Sequence, residues 1–146
     1  MADHSGQNFS NHAKWVPGFH YFVLPTFLIN ALYAIYSVVG IWTFDAVLNA
    51  IVGVALFFTA VFGRVFALGA QDRVIRLEMR LRMKELLPDD LQGRINEFSP
   101  QQMVGLRFAS DAELPDLARK VLDEQITAAT PIKKEIKDWQ GDYYRV

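Results

Sequence analysis

The chain has 146 residues, 51% hydrophobic and 21% charged, with a formal net charge of −1. It has no cysteine, which excludes a disulfide framework, a thiolate metal site and a cysteine nucleophile; its composition excludes collagen-like and wholly disordered classes. The charge is segregated: residues 15–63 carry one formal charge, Asp45, and residues 64–146 carry 14 basic and 14 acidic side chains, which excludes a single soluble core built from the whole chain.

In chain order, residues 1–15 read as a cytoplasmic N-terminal segment and 16–68 as a transmembrane hairpin with spans at about 17–40 and 45–68. A crossing takes about 20 apolar residues at ~1.5 Å each. Residues 19–39 supply that length without a charge, and 46–63 supply a second run that reaches residue 68 if Arg64 snorkels. Pro17 suits the first turn of a helix. Pro25 removes a hydrogen bond inside the first span and predicts a kink or loosening there. The link Gly40-Ile41-Trp42-Thr43-Phe44-Asp45 is short enough to force antiparallel neighbours. Lys14 precedes the spans, and Arg64, Arg73, Arg76, Arg80, Arg82 and Lys84 follow them, while the link has no Lys or Arg. The positive-inside rule then puts both termini in the cytoplasm, with Trp15, Trp42 and Arg64 as interface anchors. A cleaved signal peptide fits poorly, because Asp3 sits in the start and a second span follows at once. A soluble buried hairpin would need more shell than the remaining residues provide.

Polar and small side chains in a span usually face protein. Thr26, Asn30, Ala34 and Ser37 recur at helical spacing in the first span, as do Ala46, Asn49, Ala50 and Gly53 in the second. These faces either pack the hairpin on itself or, through Asn30, meet a separate membrane subunit. Phe22, Phe27, Tyr33, Tyr36, Phe57, Phe58 and Phe62 cannot all face inward on two helices, so they meet lipid or protein.

Residues 69–146 read as a cytoplasmic helical domain, making the whole an all-α membrane protein: a two-helix transmembrane hairpin followed by a small cytoplasmic bundle of short helices. A helix covers 71–87, either continuing the second span or starting anew. Its Arg73, Arg76, Arg80 and Lys84 fall within about a quarter of the circumference, a basic face suited to anionic lipid head groups at ~1 kcal/mol per cation. The spacing predicts ion pairs Asp72–Arg76 and Glu78–Arg82. Two apolar stripes, Val74/Leu77/Leu81 and Ile75/Met79/Leu86, predict two neighbours. Residues 85–146 carry 8 basic and 12 acidic side chains, a balance that disfavours nucleic acid. Pro88-Asp89-Asp90 opens a brief helix to Ile95. Capping boxes at Ser99–Gln102 and Ser110–Glu113 open two more, the second running to Gln125 with Leu114, Leu117, Val121 and Leu122 on one face. Thr130-Pro131 opens the last, carrying Ile132, Ile136 and Trp139. Phe98, Met103, Leu106, Phe108 and Trp139 form the predicted core, and residues 143–146 make an amphipathic end.

No phosphate-binding glycine loop, nucleophile elbow or zinc helix is present. The histidines are His4, His12 and His20. His20, at the membrane interface, is the one candidate axial ligand, to a haem or chlorin of a neighbouring subunit. The carboxylate pairs Asp89-Asp90 and Asp123-Glu124 are adjacent and do not share a helix face. The sequence therefore predicts no enzyme, no metal site, no small-molecule substrate and no cofactor of its own; any pigment, haem or lipid it meets belongs to its surroundings.

Asn11-His12-Ala13-Lys14-Trp15-Val16-Pro17 leading into His20-Tyr21-Phe22-Val23 resembles the start of a family of short bacterial two-span membrane proteins of unknown function. Gln71-Asp72-Arg73-Val74-Ile75-Arg76-Leu77-Glu78 resembles that family's helix after the spans, and Leu106-Arg107-Phe108-Ala109-Ser110-Asp111-Ala112-Glu113-Leu114-Pro115 its most recognisable motif. Ile136-Lys137-Asp138-Trp139 with Tyr143, Arg145 and Val146 is similar to its ending. The resemblance implies a bacterial inner-membrane protein and carries no known activity. The role expected is a non-catalytic accessory subunit of a larger membrane complex, with respiratory or photosynthetic electron-transfer assemblies as hosts. The alternative is a free-standing membrane-anchored module that recruits a soluble partner. A homo-oligomeric channel is less well served, because Asn30 is the only strongly polar side chain near mid-membrane.

Overall fold

The computed structural model describes residues 6–143, and these are helical apart from turns and one isolated antiparallel bridge between Ala109 and Trp139. The chain divides into two compact units. One comprises residues 14–68; the other joins residues 6–13 with residues 69–143.

In the first unit, Gly18–Val23 forms a π-helical turn that leads directly into α1 (Leu24–Gly40). Pro25 stands in the first turn of α1. The wide turn before it, closed by Leu24 N–H donating to Phe19 O, is how the chain accommodates a ring that would clash with the carbonyl four residues back. The loosening predicted at Pro25 therefore takes the form of a π-turn. After Gly40 three residues lead to α2 (Phe44–Leu86). The segments Gly18–Gly40 and Phe44–Leu86 are long and apolar enough to cross a membrane. Most large apolar side chains of this unit point outward: Phe58, Phe62 and Phe66 stack one turn apart at ring-centroid distances of 5.7 and 6.1 Å.

α2 is unbroken through Leu86, so the helix expected over 71–87 is its continuation. In the second unit it is followed by α3 (Asp89–Gln92), a 3₁₀ turn (Ile95–Glu97), α4 (Pro100–Leu106), α5 (Leu114–Asp123) and α6 (Ala129–Glu135). Ile75, Met79, Met83 and Leu87 of the α2 register are buried with Leu91, Ile95, Phe98, Met103, Leu106, Phe108, Leu114, Leu117, Val121, Ile132 and Ile136. Trp139 packs on this core half-exposed. α4 and α6 approach closely because Gly105 has no side chain: a Cβ there would stand 3.0 Å from Ile132 Cβ.

Ser99 and Gln102 make the full reciprocal capping box, and the buried Gln102 amide also donates to Ile126 O at 2.9 Å. The second box forms only by half. Ser110 Oγ accepts from Glu113 N–H at 3.3 Å, but the Glu113 carboxylate accepts from Lys137 and Asp138 N–H instead. As a result α5 begins at Leu114, and it ends at Asp123, short of Gln125, whose φ of 53° closes it.

The predicted i,i+4 pairs do not form among the described residues. Arg82 reaches away from Glu78 to Asp111 Oδ1 at 2.8 Å, Ala109 O at 2.6 Å, Arg107 O at 3.2 Å and Gln140 Oε1 at 2.9 Å. Those acceptors lie on the paired segments around the Ala109–Trp139 bridge, where Ser110 N–H donates to Asp138 O and Gln140 N–H to Phe108 O. One guanidinium thereby ties α2 to the 107–111 turn and the 138–140 segment.

Residues 6–13 also belong to this unit. Gln7 Oε1 accepts from Asp142 N–H at 2.8 Å, and the His12 ring lies 5.8 Å from Phe108 and 5.9 Å from Trp139. Lys134 sits over Phe9. The amphipathic end read at 143–146 lies, after Tyr143, outside the described residues, as does His4.

Candidate functional site

The first unit carries a groove of about 540 Å³ along the junction of α1 and α2. Gly53 makes the junction close: an added Cβ would lie 3.3 Å from Ala31 Cα and 3.1 Å from Asn30 Oδ1. Ala31, Ala34 and Gly53 are buried there. The groove brings together six of the eight small and polar residues read from the spans, Asn30, Ala34, Ser37, Ala46, Asn49 and Gly53, leaves out Thr26 and Ala50, and adds Tyr33 and Thr43. Ser37 Oγ donates to Tyr33 O at 2.9 Å, the usual way a hydroxyl is satisfied inside an apolar helix. The carboxamides of Asn30 and Asn49 are exposed and make no hydrogen bond to another described residue. Small residues thus floor the groove and two unsatisfied amides face it.

His20 belongs to the turn where the first helix begins. Its Nδ1 lies 3.1 Å from Val16 N and 2.9 Å from Val16 O, and its ring packs 4.8 Å from Trp15 and 5.2 Å from Phe19. These contacts orient the ring as part of an aromatic cluster with Trp15 and Phe19. Trp15 and Trp42 are exposed, and Arg64 is half-buried. His12 lies in the other unit, against Phe108 and Trp139.

In the second unit Arg73, Arg76 and Arg80 line one shallow hollow with Leu77. Arg80 and Lys84 border a larger groove, of about 460 Å³, walled by Gln92, Ile95 and Asn96. No carboxylate pairs with any of these four cations among the described residues. Elsewhere in the unit Arg82, Arg107, Arg119 and Lys120 each hold one, and Arg94 holds two. The two apolar stripes of α2 have different fates. Ile75 and Met79 are buried and Leu86 packs on the core, whereas Val74, Leu77 and Leu81 remain 55%, 61% and 55% exposed.

Sequence reasoning missed Arg82 and the residues 7–12. Their partners lie 25 to 135 positions away, and no local spacing announces them. Among the described residues no group of three His, Asp or Glu side chains is placed to hold a metal ion. A family model described as Family of unknown function (DUF6526) matches residues 1–146. No curated protein and no solved structure matches the chain.

Proposed function

We propose that this chain, which belongs to the Family of unknown function (DUF6526), is a non-catalytic accessory subunit that packs laterally against larger integral membrane proteins. The observation that carries this reading is the groove between α1 and α2. Water is absent from the bilayer core, so an unsatisfied amide there is costly and a second protein's hydrogen-bonding groups relieve it. Asn30 and Asn49 face such a groove with no hydrogen-bond partner among the described residues, over a floor of Ala34 and Gly53 that admits another helix closely.

The topology we assign is a two-span hairpin in a bacterial inner membrane, both termini cytoplasmic and Trp42 outside. Two observations support it. The only basic residues near the spans lie at Lys14 and from Arg64 onward. Residues 6–13, which precede the first apolar helix, pack on residues that follow the second, and that fits an even number of crossings. Arg76 and Lys84 are the cations we assign to the cytoplasmic membrane surface and its anionic head groups. Respiratory or photosynthetic electron-transfer assemblies are the hosts we would examine first. Native-gel separation of the solubilised membrane tests this: the chain should run in a band far heavier than itself, together with other integral proteins.

A second reading, a membrane-anchored module that recruits a soluble partner, draws on the open Val74, Leu77 and Leu81 face. A pull-down yielding soluble proteins and no membrane complex would favour it.

A further inference from the structure

We infer that the open face of α2 is a parallel, two-fold seam with a second copy of this chain. The pattern is that of a short coiled coil. Val74, Leu77 and Leu81 take the a, d and a positions of successive heptads and are all more than half exposed on an otherwise well-covered unit. The flanking g positions are then Arg73 and Arg80, and the flanking e positions are Glu78 and Glu85. In a parallel pair each g residue meets the e residue five positions later on the neighbour. Arg73 therefore faces Glu78 of the second copy, and Arg80 faces its Glu85. None of these four side chains forms an ion pair among the described residues, and Arg80 keeps a buried Nε without a hydrogen-bond partner.

The charge order selects the occupant. An antiparallel pair would set Arg against Arg and Glu against Glu. A phospholipid head group would satisfy the arginines but bring its phosphate beside Glu78 and Glu85. Only a helix running the same way, with acid where this one has acid, meets both rows. Copies inserted alike in one membrane run the same way, and to that extent the inference rests on the spanning reading given above. Read backward in the same heptad, the preceding a and d positions are Ala60, Gly63, Ala67 and Ala70, all small. A Cβ added at Gly63 would meet nothing within 4 Å. Beside Arg80 and Leu81 the groove walled by Gln92, Ile95 and Asn96 leaves room for the neighbour's side chains.

The test uses the full chain in mild detergent and in lipid nanodiscs. The natural chain has no cysteine, so Leu77→Cys supplies a single thiol on the seam and Arg76→Cys a single thiol off it. Oxidation should link most of the first into dimers and little of the second. The paired reversals Arg73→Glu/Arg80→Glu and Glu78→Arg/Glu85→Arg should each weaken self-association at least tenfold, and the two variants mixed should associate with each other as well as the natural chain does with itself. All four positions are exposed or half-exposed, so folding, followed by circular dichroism, should not change. The inference is overturned if the natural chain is monomeric in nanodiscs, if the two thiols cross-link equally, or if the reversed variants self-associate like the natural chain. Resistance of the same membranes to alkaline carbonate separates the outcomes. A chain released by carbonate fails the spanning reading, and an inserted monomer fails the seam alone.

Discussion

Gly53 of α2 lies against Ala31 of α1 with room for a hydrogen and not for a methyl group: an added Cβ would stand 3.3 Å from the Ala31 Cα. Because the obstacle is backbone, the helices must part to admit anything larger. Gly53→Leu is expected to cost about 1–3 kcal/mol of stability, read as a lower unfolding midpoint in detergent. Gly69→Ala meets nothing within 4 Å and should be neutral or stabilising by up to about 1 kcal/mol through helix propensity.

The four contacts of Arg82 make it the principal polar tie of the second unit. Its side chain is 19% exposed while that of Asp111 is 63% exposed, so solvent screens the ion pair and most of the worth lies in the carbonyls of Arg107 and Ala109. Arg82→Ala strands those acceptors and should destabilise the unit by about 2–3 kcal/mol. Asp111→Ala should cost under about 1 kcal/mol. Thermal unfolding of both variants beside the natural chain checks the ratio.

Acid should erode the second unit gently. The Arg119 guanidinium, 2.6 Å from Asp90, holds that carboxyl below its ordinary value, and the Lys120 ammonium, 2.7 Å from Glu135, does the same there. A carboxyl whose folded pKa is depressed stabilises the fold above its unfolded pKa, near about 4, and that contribution disappears as pH falls through the folded value. Lys120 is raised by its hydrogen bond to Glu135, so its contribution is full below about 10.4 and is lost as pH rises through the folded value. The unfolding midpoint should therefore be flat between about pH 5 and 9 as far as these pairs are concerned. The acid limb should be shallower in Asp90→Asn/Glu135→Gln and in high salt, since both pairs are exposed.

The assigned topology makes a direct labelling prediction. In an otherwise cysteine-free chain, Thr43→Cys should react with a membrane-impermeant maleimide added to intact cells, and Gln101→Cys should react only after lysis. Reversed accessibility would put both termini outside.

The legible part of this molecule was what repeats locally. The near-absence of charge from 15 to 63 marks the two apolar helices, and the helical spacing of small and polar residues picks out Asn30, Ala34, Ser37, Ala46, Asn49 and Gly53, which line the groove, along with Thr26 and Ala50, which do not. Ser99, Pro100 and Gln102 announce α4 because a capping box is closed within four residues. What stayed hidden depends on distant chain. Glu113 leaves its own cap because the N–H groups of Lys137 and Asp138 arrive from 24 and 25 residues away. Arg82 prefers acceptors on the 107–111 turn to an exposed i,i+4 partner, and Gln7 meets Asp142 across 135 positions. The unbroken α2 was undecided in sequence, since Gly69-Ala70 serves equally as a helix end or as small residues within a helix.

The central claim is that Asn30 and Asn49 face another integral membrane protein. Its most direct test is the native mass of the chain, tagged at its natural abundance and extracted in mild detergent, compared with that of Asn30→Leu/Asn49→Leu. The natural chain should migrate in a complex containing other multi-span proteins, whose masses and absorption spectrum identify the host. The double variant should remain membrane-inserted yet leave that complex. If the natural chain runs only as itself or as its own dimer, or if the double variant stays in the complex unchanged, the account is wrong.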